Sequence, residues 1–301
     1  MAKWNQDVER VAAGIRTRVF GHVLVNNEGY LSQALSASEI FAMLYARVLR
    51  LGPVVGPPSP DPFRGVPGIN NPGYVNGSRF NGARSSERDR FIFSPAHYAL
   101  VLYATLIETG RLDPSALDVF NTDGSTLEMI GAEHSPGIET TTGSLAQAIS
   151  QAAGIALGRR MKGETGNTWV MMSDGEFEEG ETWEAMSFSA FHQLNTLRVI
   201  VDANGQQCDG PIRNIGRIEP LADRAVAFGW DARDIDGHDL NELDAAMNAP
   251  SDRPVIIIAR TNPTNHLPLL REREPLLHTV RFKSAEDKAR YEKAYQEMMA
   301  Q

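Results

Sequence analysis

Residues 168–210 read TWVMMSDGEFEEGETWEAMSFSAFHQLNTLRVIVDANGQQCDG, and the fold class follows from how this stretch divides. Residues 169–172 and 197–201 are short apolar runs with β-branched members, the pattern of strands buried on both faces. Between them, 178–194 has helical periodicity, which predicts Trp183, Met186, Phe188, Phe191 and Leu194 on one apolar face. The unit is strand, acidic turn, helix, strand. In a parallel sheet it brings both strand C-termini to one edge, where open α/β sheets bind their ligands.

Ser173-Asp174-Gly175 closes the first strand and Asp202-Ala203-Asn204-Gly205 the second, so Asp174 and Asn204 are expected to face each other across a small gap. A carboxylate and an amide oxygen are hard ligands suited to Mg²⁺, which keeps positions open for water and phosphate oxygens. Gly175 allows close approach of the backbone, and its N–H can meet a phosphate oxygen. The pattern points to a metal-bridged diphosphate. Taken singly, D-G and N-G are ordinary turn dipeptides. The run 202–209 also imitates part of a calcium loop, but no bidentate Glu stands at the twelfth position.

Ser-Asp-Gly-Glu-Phe-Glu-Glu-Gly at 173–180, followed about thirty residues after Asp174 by Asp-Ala-Asn-Gly-Gln-Gln-Cys-Asp-Gly, resembles the GDG-to-N signature of thiamine diphosphate enzymes. Glu-Gly-Glu-Thr-Trp-Glu-Ala at 179–185 is similar to the transketolase branch, in which GDG runs into E-G-x-x-W-E-A. Ser173 replaces the first glycine of the motif. The resemblance implies Mg²⁺ held by Asp174, Asn204 and the main-chain oxygen of Gln206, with Gly175 and Glu179 among the cofactor-binding residues. It also places Glu179 and Glu184 at a subunit contact.

Outward from this unit, 4–24 reads as an amphipathic helix with Trp4, Val8, Val11, Ile15, Val19 and Val23 inward and Arg10, Arg16 and Arg18 on another side. A second helix is predicted over 36–50, capped by Ser36 or Ser38, with Glu39 in its first turn. The segment 28–36 resembles the transketolase S-G-H-x-G-x-x-L-S, with Tyr30 where the family has a sugar-contacting histidine. Residues 52–90 are rich in Pro, Gly, Asn and Arg without periodicity, a loop long enough to be a lid, a subunit arm or a surface insertion.

Asp89 to His97 predicts a short strand entering a Ser-Pro helix start, and resembles D-R-F-x-L-S-x-G-H, whose histidine contacts the cofactor; His97 is the match. Residues 131–147 resemble G-H-P…P-G-V-E-x-T-T-G-x-L-G-Q-G with a compressed spacer, which makes His134 a catalytic candidate and Gly143, Ser144 and Leu145 cofactor-lining residues. Helices are expected at 114–121, 145–160, 220–228 and 240–247, strands at 230–235 and 255–259, and a terminal helix at 284–300. The family places a further histidine after the last strand, for which His278 is the nearest match and His266 the runner-up.

Strands alternate with helices throughout, so the expected architecture is a doubly wound parallel α/β sheet; the resemblance implies that it is one diphosphate-binding (PP-type) domain over 1–301. The 301 residues, 42% hydrophobic, suffice for a sizeable core, and the formal net charge of −9 argues against nonspecific nucleic-acid binding. Cys208 is the only cysteine, and no signal-like or membrane-spanning run occurs, which fits a cytoplasmic protein.

The resemblance covers only the first third to half of a full transketolase. It implies the diphosphate-binding subunit of a split enzyme, paired with a pyrimidine-binding subunit as α2β2, using thiamine diphosphate and Mg²⁺ to move a two-carbon unit from a ketose or sugar phosphate to an aldose. His97, His134 and His278 are the implied acid–base and hydrogen-bonding residues. The alternatives are a 2-oxo acid dehydrogenase E1-like decarboxylating component and a non-catalytic subunit that retains the fold.

Overall fold

Seven strands are described: β1 (Arg90–Phe93), β2 (Thr168–Ser173), β3 (Leu197–Ala203), β4 (Gln206–Gln207), β5 (Gly210–Pro211), β6 (Asp231–Asp236) and β7 (Val255–Arg260). They belong to a computed structural model that covers residues 3–66 and 68–300. Five of them form a parallel sheet in the order β1-β2-β3-β7-β6, and β4 and β5 make a small antiparallel hairpin. Parallel strands buried on both faces read as continuous apolar runs, and β2, β3 and most of β7 do.

The alternation of side chains divides each strand between two cores. Phe91, Phe93, Trp169, Met171, Ile200 and Ile257 face one layer of helices. Ile92, Val170, Met172, Val199, Val201, Ile256 and Ile258 face the other. The first layer contains α1 (Lys3–Asn26), α2 (Leu31–Met43), α3 (Ala99–Glu108) and residues of a helix that comes after β6; the second contains α4 (Gln147–Met161), α5 (Gly180–Phe191) and α6 (Leu221–Ala227). That first-layer helix is α7 (Leu240–Asn248), and the terminal α8 (Ala285–Met299) packs on α1. No described helix is long and apolar enough to cross a membrane.

Three expectations change. The predicted 36–50 helix begins five residues earlier, at Leu31, and ends in a π turn, Leu44–Val48. Every residue of α2 is buried, so Ser36, Ser38 and Glu39 are not caps or first-turn residues but interior groups with tertiary partners. The predicted 178–194 helix starts at Gly180 because Asp174–Glu178 forms a 3₁₀ turn. Its buried stripe is Thr182, Ala185, Met186 and Ser189, while Phe191 is 81% exposed and Phe188 is also turned out.

The third change is Arg16, which is buried and not on the wet side of α1. It pairs with Glu39, also buried, whose other oxygen lies 3.1 Å from His238 Nδ1. Burial alone would raise the Glu39 carboxyl, but hydrogen bonds from His238 and His266 and the Arg16 charge outweigh it and hold it well below the usual carboxylate range.

The 52–90 segment has no periodicity because its order comes from side chains gripping main chain. Arg79 donates to the carbonyls of Val55, Pro57 and Ser59 and to the Asp61 carboxylate. Phe63 N–H donates to the Gly124 carbonyl, and Thr126 Oγ to that of Asp61.

Glu39→Gln leaves the Arg16 guanidinium buried without its counter-charge, and a loss of about 3–5 kcal/mol is expected in urea unfolding at pH 7. The folded carboxyl titrates lower than the unfolded one, so its contribution is present above the usual carboxylate range and disappears as pH falls through it. The wild-type chain should therefore lose stability more steeply than Glu39→Gln between about pH 5 and pH 3.

Candidate active site at the C-terminal edge of the sheet

All five parallel strands end at one edge, and the candidate site is built from the turns and loops that leave β1, β2, β3 and β7. β2 and β3 are in register at Ser173 and Asp202, so the residues just beyond them are neighbours. Ser173 and Glu176 exchange hydrogen bonds as a capping box around the 3₁₀ turn that Asp174 opens. Asp174 is 3% exposed; its Oδ1 accepts the Gly175 N–H at 3.0 Å and its Oδ2 accepts the Gly205 N–H at 2.6 Å. The acid is thus fastened to the peptide just after Asn204. Gly205 takes φ +73°, a left-handed conformation open to glycine, and turns the chain into the β4–β5 hairpin.

The orientation of Asn204 follows from its neighbours. Its Nδ2 donates to Asp202 Oδ2 at 2.9 Å and to Tyr98 Oη at 3.1 Å, so Oδ1 points the other way, where it accepts the Gln206 N–H at 2.9 Å. Asp202 is fully buried and also accepts the hydroxyls of Ser36 at 2.6 Å, Tyr98 at 2.8 Å and Thr261. Burial, and then the charge of Asp202, push the Asp174 carboxyl well above its ordinary range; burial also raises Asp202. Neither acid has an ion-pair partner among the described residues.

A divalent cation at Asp174 would compensate this burial. No group of three or more His, Cys, Asp or Glu side chains suited to a metal occurs among the described residues, so amide and main-chain oxygens must complete any set. The side-chain oxygen of Gln206 is buried without a hydrogen-bond partner at this same turn. One carboxylate, the Asn204 amide oxygen and the oxygens of Gln206 are the hard donors that Mg²⁺ takes, and the residues present fit it.

His97, Leu145, Gly175, Glu179, Gln206 and His278 line one cleft, together with Tyr98 and Cys208. His97 is placed by the 3₁₀ turn Ala96–Tyr98 after β1, and His278 by the loop after β7. Their ring centroids are 5.1 Å apart, and Tyr30 meets both, at 5.4 Å and 5.3 Å. Burial, and then the neighbouring His278, push the His97 imidazole down to about 3, and burial lowers His278 as well. Both rings are therefore neutral at neutral pH. Gln33 Nε2 lies 3.2 Å from His278 Nδ1 and also from the His278 carbonyl. As a donor to both, it assigns the imidazole proton to Nε2.

The remaining expected residues lie elsewhere. Gly143, at φ +116°, packs close to Ala96, and the Ser144 carbonyl accepts the Gln147 N–H; of the three residues before α4, Leu145 lines the cleft. His134 is not in it: its ring lies 4.7 Å from that of Phe63, and its Nε2 is 3.1 Å from Glu128 Oε2 without hydrogen-bond geometry. His266 Nε2 stands 3.5 Å from Glu39, in the buried cluster that Glu39 forms with Arg16 and His238. In that cluster His238 Nε2 accepts the Asn262 N–H, so its proton sits on Nδ1 facing Glu39, and the ring is a donor to the acid and not a metal ligand. Sequence reasoning missed Tyr98, Gln33, Ser36, Asp202 and Glu176 as members of the site. The one signal available was polar residues, Ser32, Ser36, Ser38 and Glu39, inside an otherwise apolar run.

Residues 79–274 match the family described as transketolase, thiamine diphosphate binding domain. The chain belongs to the transketolase family. It is 36% identical over 255 residues to the transketolase family protein y4mO of Sinorhizobium fredii, covering 83% of this chain and 82% of that one. It is 31% identical to the 6-deoxy-6-sulfo-D-fructose transketolase subunit SqwG of Clostridium sp., covering 87% of this chain and 86% of the relative. The crystal structure of transketolase from Campylobacter jejuni superposes with a TM-score of 0.70 at 21% identity, covering 98% of this chain and 47% of that one. The chain thus spans about half the length of that transketolase. Thiamine diphosphate is the cofactor of this domain, and transketolases use it with a divalent metal such as Mg²⁺.

The unfolded chain protonates its histidines near pH 6.5, whereas folded His97 stays neutral to about pH 3. In that window the unfolded state binds the extra proton, so folding stability falls as the pH falls, by up to about 5 kcal/mol. His97→Leu should flatten this part of the pH–stability curve, measured by urea unfolding from pH 7 to pH 4. In the wild type, ring NMR shifts of His97 should show no protonation over the same range.

Proposed function

We propose that this chain is the diphosphate-binding half of a two-subunit, cytoplasmic transketolase, folded as one PP-type domain and complete only with a pyrimidine-binding partner in an α2β2 assembly. The observation that carries the reading is the buried Asp174, fastened to the turn that holds Asn204 and Gln206, beside a cleft walled by two neutral imidazoles. Asp174, the Asn204 amide oxygen and the Gln206 main-chain oxygen hold Mg²⁺, and the Gly175 turn and Leu145 receive the diphosphate side of the cofactor. Bound thiamine diphosphate supplies the carbanion chemistry that moves a two-carbon ketol unit from a ketose to an aldose.

The chain's own groups do the rest. His278 presents a proton on Nε2, with Gln33 fixing its other nitrogen, so it can donate to a sugar hydroxyl or oxyanion. His97, a neutral imidazole at working pH, accepts a hydrogen bond from a substrate hydroxyl. Ketoses with an anionic end are the favoured donors: the Clostridium relative is named for a sulfo-fructose.

A partner is supported by that relative's designation as a subunit and by the surface of α4 and α5. Phe191 and Met161 are 81% and 80% exposed, at helix ends joined by the bond from Arg160 to the His192 carbonyl. On α4, a Cβ at Gly154 or at Gly158 would meet nothing within 4 Å beyond the helix's own backbone, so another helix can approach closely. Glu179 and Glu184 are also exposed, at the start and in the first turns of α5.

Tyr30, standing where the family motif has a sugar-contacting histidine, closes a three-ring cluster with His97 and His278, which bears on a specialised ketose donor or on a non-catalytic subunit that keeps the fold. Assays with the partner, thiamine diphosphate and Mg²⁺ should give two-carbon transfer from a ketose phosphate; CO₂ release from a 2-oxo acid instead would favour the decarboxylase. The isolated chain should turn over neither. Phe191→Asp should weaken association with the partner about tenfold or more in analytical ultracentrifugation while leaving the fold intact.

A further inference from the structure

The turn after β2 contains a carboxylate that none of these roles uses. Glu176 is fully buried and has no ion-pair partner among the described residues. Its two oxygens are nonetheless fully occupied by three separate pieces of chain. Oε1 accepts the Ser94 hydroxyl and the Ala146 N–H, the latter at 3.1 Å. Oε2 accepts the Ser173 N–H at 2.7 Å and the Ser173 hydroxyl at 3.1 Å.

Each of these donors sits beside a residue of the cleft. Ser94 comes directly after β1 and before the turn that presents His97; Ala146 is next to Leu145; Ser173 precedes Asp174 and Gly175. Ala146 is held at φ +69°, a conformation unfavourable for a residue with a Cβ, and its N–H is aimed at Glu176. A buried carboxylate without a cation is a costly way to join loops, and strain at Ala146 adds to the cost. The main-chain ladder between β1 and β2 ends with the Ser94 N–H on the Met171 carbonyl at 3.0 Å and does not reach the Ala146 or Asp174 turns.

We propose that Glu176 is a positioning residue for the cofactor: one carboxylate sets the spacing of the His97, Leu145 and Asp174 turns, so affinity for Mg²⁺-thiamine diphosphate depends on it. The proposal rests on the reading of this cleft as a thiamine diphosphate site. Glu176→Gln keeps the shape but turns an NH₂ toward one of the two donor pairs, so one turn loses its anchor.

The test is calorimetric titration of Mg²⁺-thiamine diphosphate into the chain with its partner, alongside melting without cofactor. Ile15→Val, in the α1 core away from the cleft, controls for lost stability. The expected result is a Kd weakened about tenfold or more by Glu176→Gln, with the wild-type Kd retained by Ile15→Val at a lowered melting temperature. Wild-type affinity in Glu176→Gln overturns the proposal alone; no binding by the wild-type pair overturns the cofactor reading and the proposal with it. Should Glu176→Gln fail to fold, Ser94→Ala, which leaves the carboxylate in place, decides: a Kd weakened about threefold or more supports the positioning role, and an unchanged Kd overturns it.

Discussion

Two acids, Asp174 and Asp202, are buried at neighbouring strand ends with no basic side chain paired to them among the described residues, and the surrounding structure is arranged to make that tolerable. Main-chain N–H groups of Gly175 and Gly205 serve Asp174, and hydroxyls from α2, the His97 turn and the loop after β7 serve Asp202. Burial of charge this close to the surface of a sheet edge is unfavourable unless hydrogen bonds or a metal answer it. Here hydrogen bonds answer Asp202 more fully than Asp174. That difference leaves Asp174 as the acid with capacity to spare for a cation.

The same need explains why α2 lies buried along its whole length. Ser32 reaches the Leu277 carbonyl, Gln33 the His278 ring, Ser36 the Asp202 carboxylate and Glu39 the Arg16 guanidinium. A helix with this many polar residues can be interior only if each finds a partner. The partners come from the end of β3, the loop after β7 and α1, so α2 braces the cleft from behind. Tyr30, at its N-terminal end, closes the ring cluster with His97 and His278, and burial in that cluster keeps the histidines uncharged.

Much of this is legible in the residue order. The apolar runs mark the strands to within two residues, and the S-D-G and D-A-N-G ends mark the turns that the register of β2 and β3 brings together. His97, Leu145, Gly175, Glu179, Gln206 and His278, all expected from motif, share a cleft. What periodicity could not report was direction. Phe188 and Phe191 look like core by hydrophobicity and lie outside, because the stripe that packs on the sheet is the smaller Thr182, Ala185, Met186 and Ser189. Arg16 looks like surface by charge and lies inside, because Glu39 meets it there. The residues around His134 resembled a family motif with a compressed spacer, and the 52–90 segment places Phe63 against its ring, so that His134 does not line the cleft.

By itself the sequence determined the doubly wound class, the strand ends and the oxygen-donor chemistry of the turns after β2 and β3, since these depend on local periodicity and on neighbours within a few dozen residues. Only the tertiary structure decided which histidine stands with His97, which way Asn204 faces, and that Glu176, Ser94 and Ala146 meet at one carboxylate. Those outcomes are set by contacts between segments far apart in the chain, where burial and hydrogen-bond satisfaction outweigh any preference a residue carries on its own.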